Sequence, residues 1–252
     1  MFFDSHSHLQ DDVYIDDLEE VIKAANENNV NYMMILGYDK ESNEKALELA
    51  KKYDNIYAAL GFHPAYINEV EETHFLWLEE NLKHPKVKAI GEIGLDYYWY
   101  KDNKDLQKKY FERQLKFATK HNIPVIIHNR EATEDIYNIL KKYSLSGVMH
   151  SFSSSKEMAK KFIQIGMLIG ISGVVTFKNA KKIKEVVEEI DLSHILIETD
   201  SPYLTPEPYR GKRNEPKYVI LVADEIAKIK NISKEEVGKI TTENALKVFN
   251  IK

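Results

Sequence analysis

Residues 6–8 read His-Ser-His. Two positions apart on an extended chain, both imidazoles project to one face and can reach the same ion. Further along, Glu92, His128, His150 and Asp200 add two carboxylates and two more imidazoles. Nitrogen and oxygen donors without thiolate suit zinc, manganese or magnesium. One such ion could activate water for hydrolysis of an ester or amide. Two would also clamp the attacking and leaving oxygens of a phosphoryl transfer. Glu92, on the fourth of eight expected strands, is central enough in strand order to bridge a pair. Asp4 shares the parity of His6 and His8 and is either a partner that orients an imidazole, the favoured role, or a buried structural carboxylate.

These residues can meet only if the fold brings distant segments together. Short β-branched runs alternate with longer segments of helical period. The strands are expected at Met1–Asp4, Asn31–Leu36, Ile56–Gly61, Val87–Ile93, Pro124–His128, Gly147–His150, Met167–Ile171 and His194–Asp200. Between them lie amphipathic stretches, such as the stripe of Leu18, Val21, Ile22 and Ala25. Eight strands, each followed by a helix, predict an α/β fold, a single (β/α)8 TIM-type barrel. Additional C-terminal helices follow: Tyr218–Ile229, then one opened by a capping box of Ser233 and Glu236 and running towards Phe249. With 252 residues and no linker or repeat, the chain reads as one domain, 1–252, close to the roughly 250 residues usual for such a barrel.

Barrel enzymes carry their chemistry at the C-terminal ends of the strands. Five of the nine histidines (His6, His8, His63, His128 and His150) fall at that rim, with Glu92 and Asp200. Imidazoles and carboxylates converging there would carry desolvation and repulsion with nothing to offset them, unless a cation sits among them. The expected metal set is therefore His6, His8, Glu92, His128, His150 and Asp200. Removing Glu92 is expected to stabilise the metal-free protein by relieving repulsion with Asp200.

Composition narrows the remaining choices. With no cysteine, a disulfide framework, a thiolate zinc site and a thiol nucleophile are excluded. A net charge of −5 gives no global attraction for nucleic acid, so a polyanion must be held locally. The N-terminus lacks a basic region and no apolar run reaches membrane length, which predicts a cytoplasmic protein with no membrane partner. No obligate protein partner is evident.

Seven ordered segments carry a resemblance that runs nearly end to end: FDSHSHL (Phe3–Leu9), GFHP (Gly61–Pro64), GEIGLDYY (Gly91–Tyr98), IHNREA (Ile127–Ala132), HSF (His150–Phe152), ETDSPYL (Glu198–Leu204) and GKRNEP (Gly211–Pro216). In these the chain resembles the TatD family of metal-dependent deoxyribonucleases. The resemblance implies a two-metal site, with His6, His8, Glu92 and Asp200 on one ion and Glu92, His128 and His150 on the other. It makes Glu92 and Asp200 the catalytic pair, Asp200 accepting a proton from the attacking water. It implies DNA as partner, cut from the 3′ end of single strands by a 3′–5′ exonuclease. The chain departs from the family pattern at Ser151 and Ser154, where cysteine and glycine are common.

Substrate contacts are expected from Arg130, Lys212 and Arg213 on phosphate, and from His63 on a phosphate or leaving group. Tyr97, Tyr98, Trp99 and Tyr100 form an aromatic run able to stack unpaired bases, with Tyr97 the nearest to Glu92 in the chain. Two other readings use the same residues: hydrolysis of an aminoacyl-tRNA ester or cyclic amide, or non-catalytic binding of metal or nucleic acid.

Overall fold

Runs rich in Val, Ile and Leu form the strands, and each pairs with the next in the chain. In the computed structural model, which describes residues 1–252, these are β1 (Phe2–Ser7), β2 (Val30–Leu36), β3 (Ile56–Leu60), β4 (Val87–Asp96), β5 (Val125–Arg130), β6 (Gly147–Met149), β7 (Met167–Ile171) and β8 (Ile195–Ile197). All seven pairings are parallel, in the order β1 to β8. Helices α1 (Leu18–Glu27), α2 (Lys40–Lys52), α3 (Glu72–Asn81), α4 (Lys104–His121), α5 (Thr133–Leu140), α6 (Lys156–Gln164), α7 (Lys181–Glu189) and α8 (Val219–Lys230) wrap the outside, and α9 (Lys234–Val248) follows. The expected TIM-type barrel is the fold. No helix is long and apolar enough to cross a membrane.

Two apolar layers hold it together. Residues facing outward from the strands, among them Ile35, Ala58, Ile90 and Ile127, pack with the inner faces of the helices. Those facing inward, Phe3, Met34, Ala59, Ala89, Ile126, Val148 and Leu196, fill the barrel and meet Ala245, Phe249 and Ile251 from α9 and the chain end. Phe249 lies 6.0 Å from Phe3, so α9 plugs the bottom of the barrel. The cap of α9 is one-sided. Ser233 accepts from the Glu236 N–H at 3.1 Å, but no return bond completes the expected box.

Strand ends differ from expectation where the barrel closes. β1 runs on to Ser7, whereas β8 stops at Ile197, short of Asp200. His194 belongs to a single 3-10 turn before β8. Closure is made just beyond β8: the Asp200 N–H donates to His6 O at 2.9 Å and the His8 N–H to Ser201 O at 2.7 Å. Asp4 belongs to this seam. Its carboxylate accepts from the Thr199 N–H at 2.8 Å and the Thr199 hydroxyl at 2.6 Å, and it touches no imidazole. Its expected role as an orienting partner is replaced by a structural one. Burial pushes its carboxyl up to about 8, despite those hydrogen bonds.

Candidate metal centre

Alternation along the strands decides which side chains reach the barrel mouth. On β5, β6 and β8 the rule is simple. Ile126, Val148 and Leu196 face inward, and His128, His150 and Asp200 follow at even spacing. Ala59 and His63 stand in the same relation. In β1 and β4 strict alternation would fail, because Phe3 and Ala89 face inward while His6 and Glu92 lie an odd number of residues away. The register shifts between Asp4 and Ser7, and between Ile90 and Ile93. Such irregularities re-aim side chains. Here they turn His6, His8 and Glu92 inward and send Ile93 and Leu95 to the outer layer.

Glu92 sits at the middle of the result. One oxygen, Oε2, lies 3.5 Å from His6 Nε2 and 3.7 Å from His8 Nε2. Asp200 Oδ1 completes this group, 3.5 and 3.6 Å from the same two nitrogens. The other oxygen, Oε1, lies 2.9 Å from His128 Nδ1, 3.4 Å from His150 Nε2 and 3.8 Å from His63 Nε2. The structure thus brings together all six members of the predicted set, and all but the fully buried His6 line a cleft of about 210 Å³ with His63, Tyr38, Tyr66 and Tyr203.

The hydrogen bonds outside this cluster fix which nitrogens face it. His8 Nδ1 is 2.9 Å from Leu36 O and His150 Nδ1 is 3.1 Å from Glu198 Oε1, so each donates outward there. In the neutral ring Nε2 is then a bare lone pair aimed at carboxylate oxygen. Acceptor facing acceptor is repulsive, and either protons or a cation must resolve it. In the metal-free protein protons do so. Burial pulls the His8 imidazole down, but Asp200 and Glu92 outweigh it and raise it to about 9. His150 is likewise lowered by burial and raised further by Glu92 and Glu198, to about 10. Glu92, which burial alone would raise, is held well below the usual carboxylate range, chiefly by His150 and His63.

A cation fits the same donors. Tetrahedral ligands about 2.0–2.2 Å from zinc lie about 3.3–3.6 Å apart. The distances from His6 and His8 to Glu92 and Asp200 run from 3.5 to 3.7 Å. His6, His8 and Glu92 form one group able to hold an ion, and His63, Glu92 and His128 another. Within the second, His63 is set apart by its tautomer. Its Nδ1 accepts from the Ala65 N–H at 3.1 Å, leaving the proton on Nε2, towards the cleft. Burial and the neighbouring His128 lower it to about 3, so it is a neutral donor.

Two acidic residues of this centre were not singled out from the sequence. Glu198 is fully buried and holds both His150 and the Ser151 N–H. Gly170 makes room for it, since a Cβ there would stand 2.5 Å from Glu198 Oε2. Asp96 lies 3.1 Å from His128 Nε2 through one oxygen, and with the other accepts from the Tyr98 and Trp99 N–H groups. Both share a parity with a predicted member, Glu198 with Asp200 and Asp96 with Glu92. The departures at Ser151 and Ser154 are absorbed locally: Ser151 takes φ 40°, and the Ser154 hydroxyl pairs with Thr133 at 2.8 Å.

Several expected substrate contacts lie elsewhere. Arg213 is bound to Asp17 through two hydrogen bonds of 2.8 and 2.6 Å, pairs with Glu215 at 3.3 Å and covers the Tyr14 ring. It braces the loop after β8, residues 201–216 with four prolines, against the start of α1. Tyr97 turns its hydroxyl to Asp135 at 2.7 Å and packs on the outer core, so it anchors its loop instead of facing substrate. Lys212 is exposed beside Tyr209 and lines neither cleft at the metal centre. Arg130 does reach the site. It lines a second cleft, of about 600 Å³, together with His128, His150 and Asp200.

A TIM-type barrel with histidines and carboxylates gathered at its mouth is the architecture of a metal-dependent hydrolase. Comparison with known proteins makes the assignment specific. The TatD related DNase family matches residues 3–250, and the chain belongs to that family. The uncharacterized metal-dependent hydrolase YabD of Bacillus subtilis is 48% identical over 254 residues, spanning 100% of both chains. YcfH of Escherichia coli, described in the same terms, is 34% identical, covering 98% of this chain and 95% of its own. Among solved structures, YjjV, a TatD homologue from Escherichia coli, superposes with a TM-score of 0.95 at 29% identity, covering 100% of this chain and 98% of that one. A TatD family hydrolase from Entamoeba histolytica gives 0.88 at 25%, covering 98% and 97%.

Proposed function

We propose that this metal-dependent hydrolase is a deoxyribonuclease that removes nucleotides from the 3′ end of DNA, with single strands as the preferred form. The observation that carries the reading is the division of Glu92, whose two oxygens face two separate groups of imidazoles. In this reading His6, His8, Glu92 and Asp200 hold one ion, and Glu92, His128 and His150 the other. Zinc, manganese and magnesium all suit these donors. Such ions supply charge for the phosphoryl oxygens and lower the pKa of water. Asp200 takes the proton of the attacking water on its carboxylate, at the edge of the cleft. His63 donates from Nε2 to a phosphate or leaving oxygen, and Arg130 neutralises a phosphate in the adjoining cleft. Lys212 is left for a more distant phosphate.

The test is release of label from 3′-labelled and 5′-labelled single-stranded DNA in magnesium, manganese or zinc, comparing wild type with Glu92→Ala. Metal-dependent release from the 3′ end by wild type alone is expected. No release in any of the three metals overturns the reading.

One observation favours a second substrate class, an ester or amide bearing a cationic amine. A cleft of about 520 Å³ shares Tyr38 and Tyr203 with the metal centre and is walled by Asp11, Asp12, Asp39 and Glu41, with Lys45 paired to Asp12 and Glu41. Gln10, buried in its wall, has an Oε1 with no partner. Faster turnover of aminoacyl esters than of DNA would establish that class.

A further inference from the structure

We infer that Tyr98, Trp99 and Arg130 form a stacking subsite for an unpaired nucleobase beside the metal centre. The inference rests on the phosphodiesterase reading and specifies the form of its substrate: a strand whose bases are free of a complement.

Trp99 is 65% exposed and Tyr98 40%. Their rings meet edge to face at 4.6 Å. The Arg130 guanidinium lies 4.8 Å from the Tyr98 ring and 5.7 Å from that of Trp99. Arg213, by contrast, is consumed by Asp17 and Glu215, whereas Arg130 has no carboxylate partner. A large exposed indole beside an unpaired guanidinium matches the two halves of a nucleotide, a π-face and a phosphate.

The turn that carries these rings is rigid and coupled to the centre. One oxygen of Asp96 holds the Tyr98 and Trp99 N–H groups at 3.0 and 2.9 Å, while the other meets His128 at 3.1 Å. The Gln107 amide donates to Asp96 O and to Tyr100 O, and the Tyr97 N–H donates to Arg130 O at 2.9 Å. The aromatic turn is thus fastened to the strand pair that bears Glu92 and His128. A platform held in advance loses little entropy when a base arrives.

Charge selects this side of the site. Lys101 and Lys104 stand over Tyr98 and Tyr97, at 5.9 and 4.6 Å. The cleft that shares Tyr38 and Tyr203 with the centre is acidic on balance, with Asp11, Asp12, Asp39 and Glu41 against Lys45 alone. A polyanion avoids that wall and lies along Arg130. Base identity matters little in such contacts, because every base has a π-face.

The test uses the full chain carrying Trp77→Phe, which leaves Trp99 as the sole indole. Its emission is followed on titration, in calcium, with single-stranded oligonucleotides that are intact or carry abasic residues at the 3′ or the 5′ end. KM and kcat are then measured for wild type, Trp99→Ala and Trp99→Phe on the same strands. Intact strands are expected to quench Trp99, and abasic ends to weaken the quench. Trp99→Ala should raise KM for the intact strand about 5- to 100-fold more than for the abasic one, with kcat moving less and Trp99→Phe largely restoring it. Equal effects on both strands, or no base-dependent quench, overturn the subsite. Base-dependent quenching without cleavage in any metal would keep the subsite and overturn the nuclease reading. Cleavage indifferent to the bases would do the reverse.

Discussion

Glu198 Oε1 lies 3.1 Å from His150 Nδ1, and this contact decides which nitrogen of His150 is turned towards Glu92. The carboxylate is fully buried and also anchors the backbone turn after β6. Partners of this kind set the tautomer and basicity of a ligating imidazole, and losing one typically costs 10- to 100-fold in metal affinity. Glu198→Ala is therefore expected to weaken binding at the His150 side by about 10- to 100-fold in zinc titration calorimetry. Wild-type affinity in the variant would show that His150 is oriented by packing alone.

Glu92→Ala should lower the melting temperature of the metal-free protein, the reverse of what carboxylate repulsion alone suggests. Five histidines lie within 3.8 Å of the Glu92 oxygens, and the charged ones among them, His150 foremost, hold the group ionised against the effect of burial. Removing one partner of a buried ion pair costs about 3–5 kcal/mol. In a chain of this size each kcal/mol moves the melting point by about 2–4 °C. An unchanged or higher melting point by calorimetry in chelator would restore repulsion with Asp200 as the dominant effect.

Ion binding should expel protons near neutral pH. Metal-free His8 and His150 are raised to about 9 and about 10, so both are charged at pH 7 and must each release a proton to bind. Affinity for zinc then rises with pH. The stability that these raised groups give the metal-free fold is complete below their unfolded value of about 6.5 and is lost as pH climbs through 9 and 10. Calorimetry in buffers of different ionisation enthalpy counts the protons. A count of zero at pH 7 would mean that both rings are already neutral.

Arg213 and Arg130 should separate stability from activity. Arg213→Ala breaks the Asp17 and Glu215 pairs and uncovers Tyr14, so a lower melting point with unaltered hydrolysis is expected. The Asp17 pair is partly exposed, which limits the loss to about 1 kcal/mol. Arg130→Ala should do the opposite, weakening substrate binding at constant melting temperature. Matching profiles for the two variants would contradict the division drawn between them.

How far the centre could be read from the chain depended on the strand. On β5, β6 and β8 each ligand candidate follows an inward-facing apolar residue at even spacing, and sequence shows this directly. On β1 and β4 the register breaks depend on pairing with neighbouring strands, so His6 and Glu92 were placed by residue type and motif. The same break separates Asp4 from the parity it appeared to share with His6. Arg213 and Tyr97 could not be read correctly. Their polar ends are claimed by Asp17 and Asp135, 196 and 38 residues away, and no local pattern displays such partners. Asp96 and Glu198 lay in view within recognisable segments, but a carboxylate beside a ligand shows its task only when the imidazole it holds is visible.

The seam between β1 and the segment after β8 has a consequence for timing. His6 and His8 are made long before Asp200, which joins their group from a distant part of the chain. The clasp of Asp4 on Thr199 spans 195 residues, and the plug from α9 arrives later still. A nascent or truncated chain that stops short of Thr199 and Asp200 cannot assemble the centre, so hydrolytic activity waits for that segment to be made and docked.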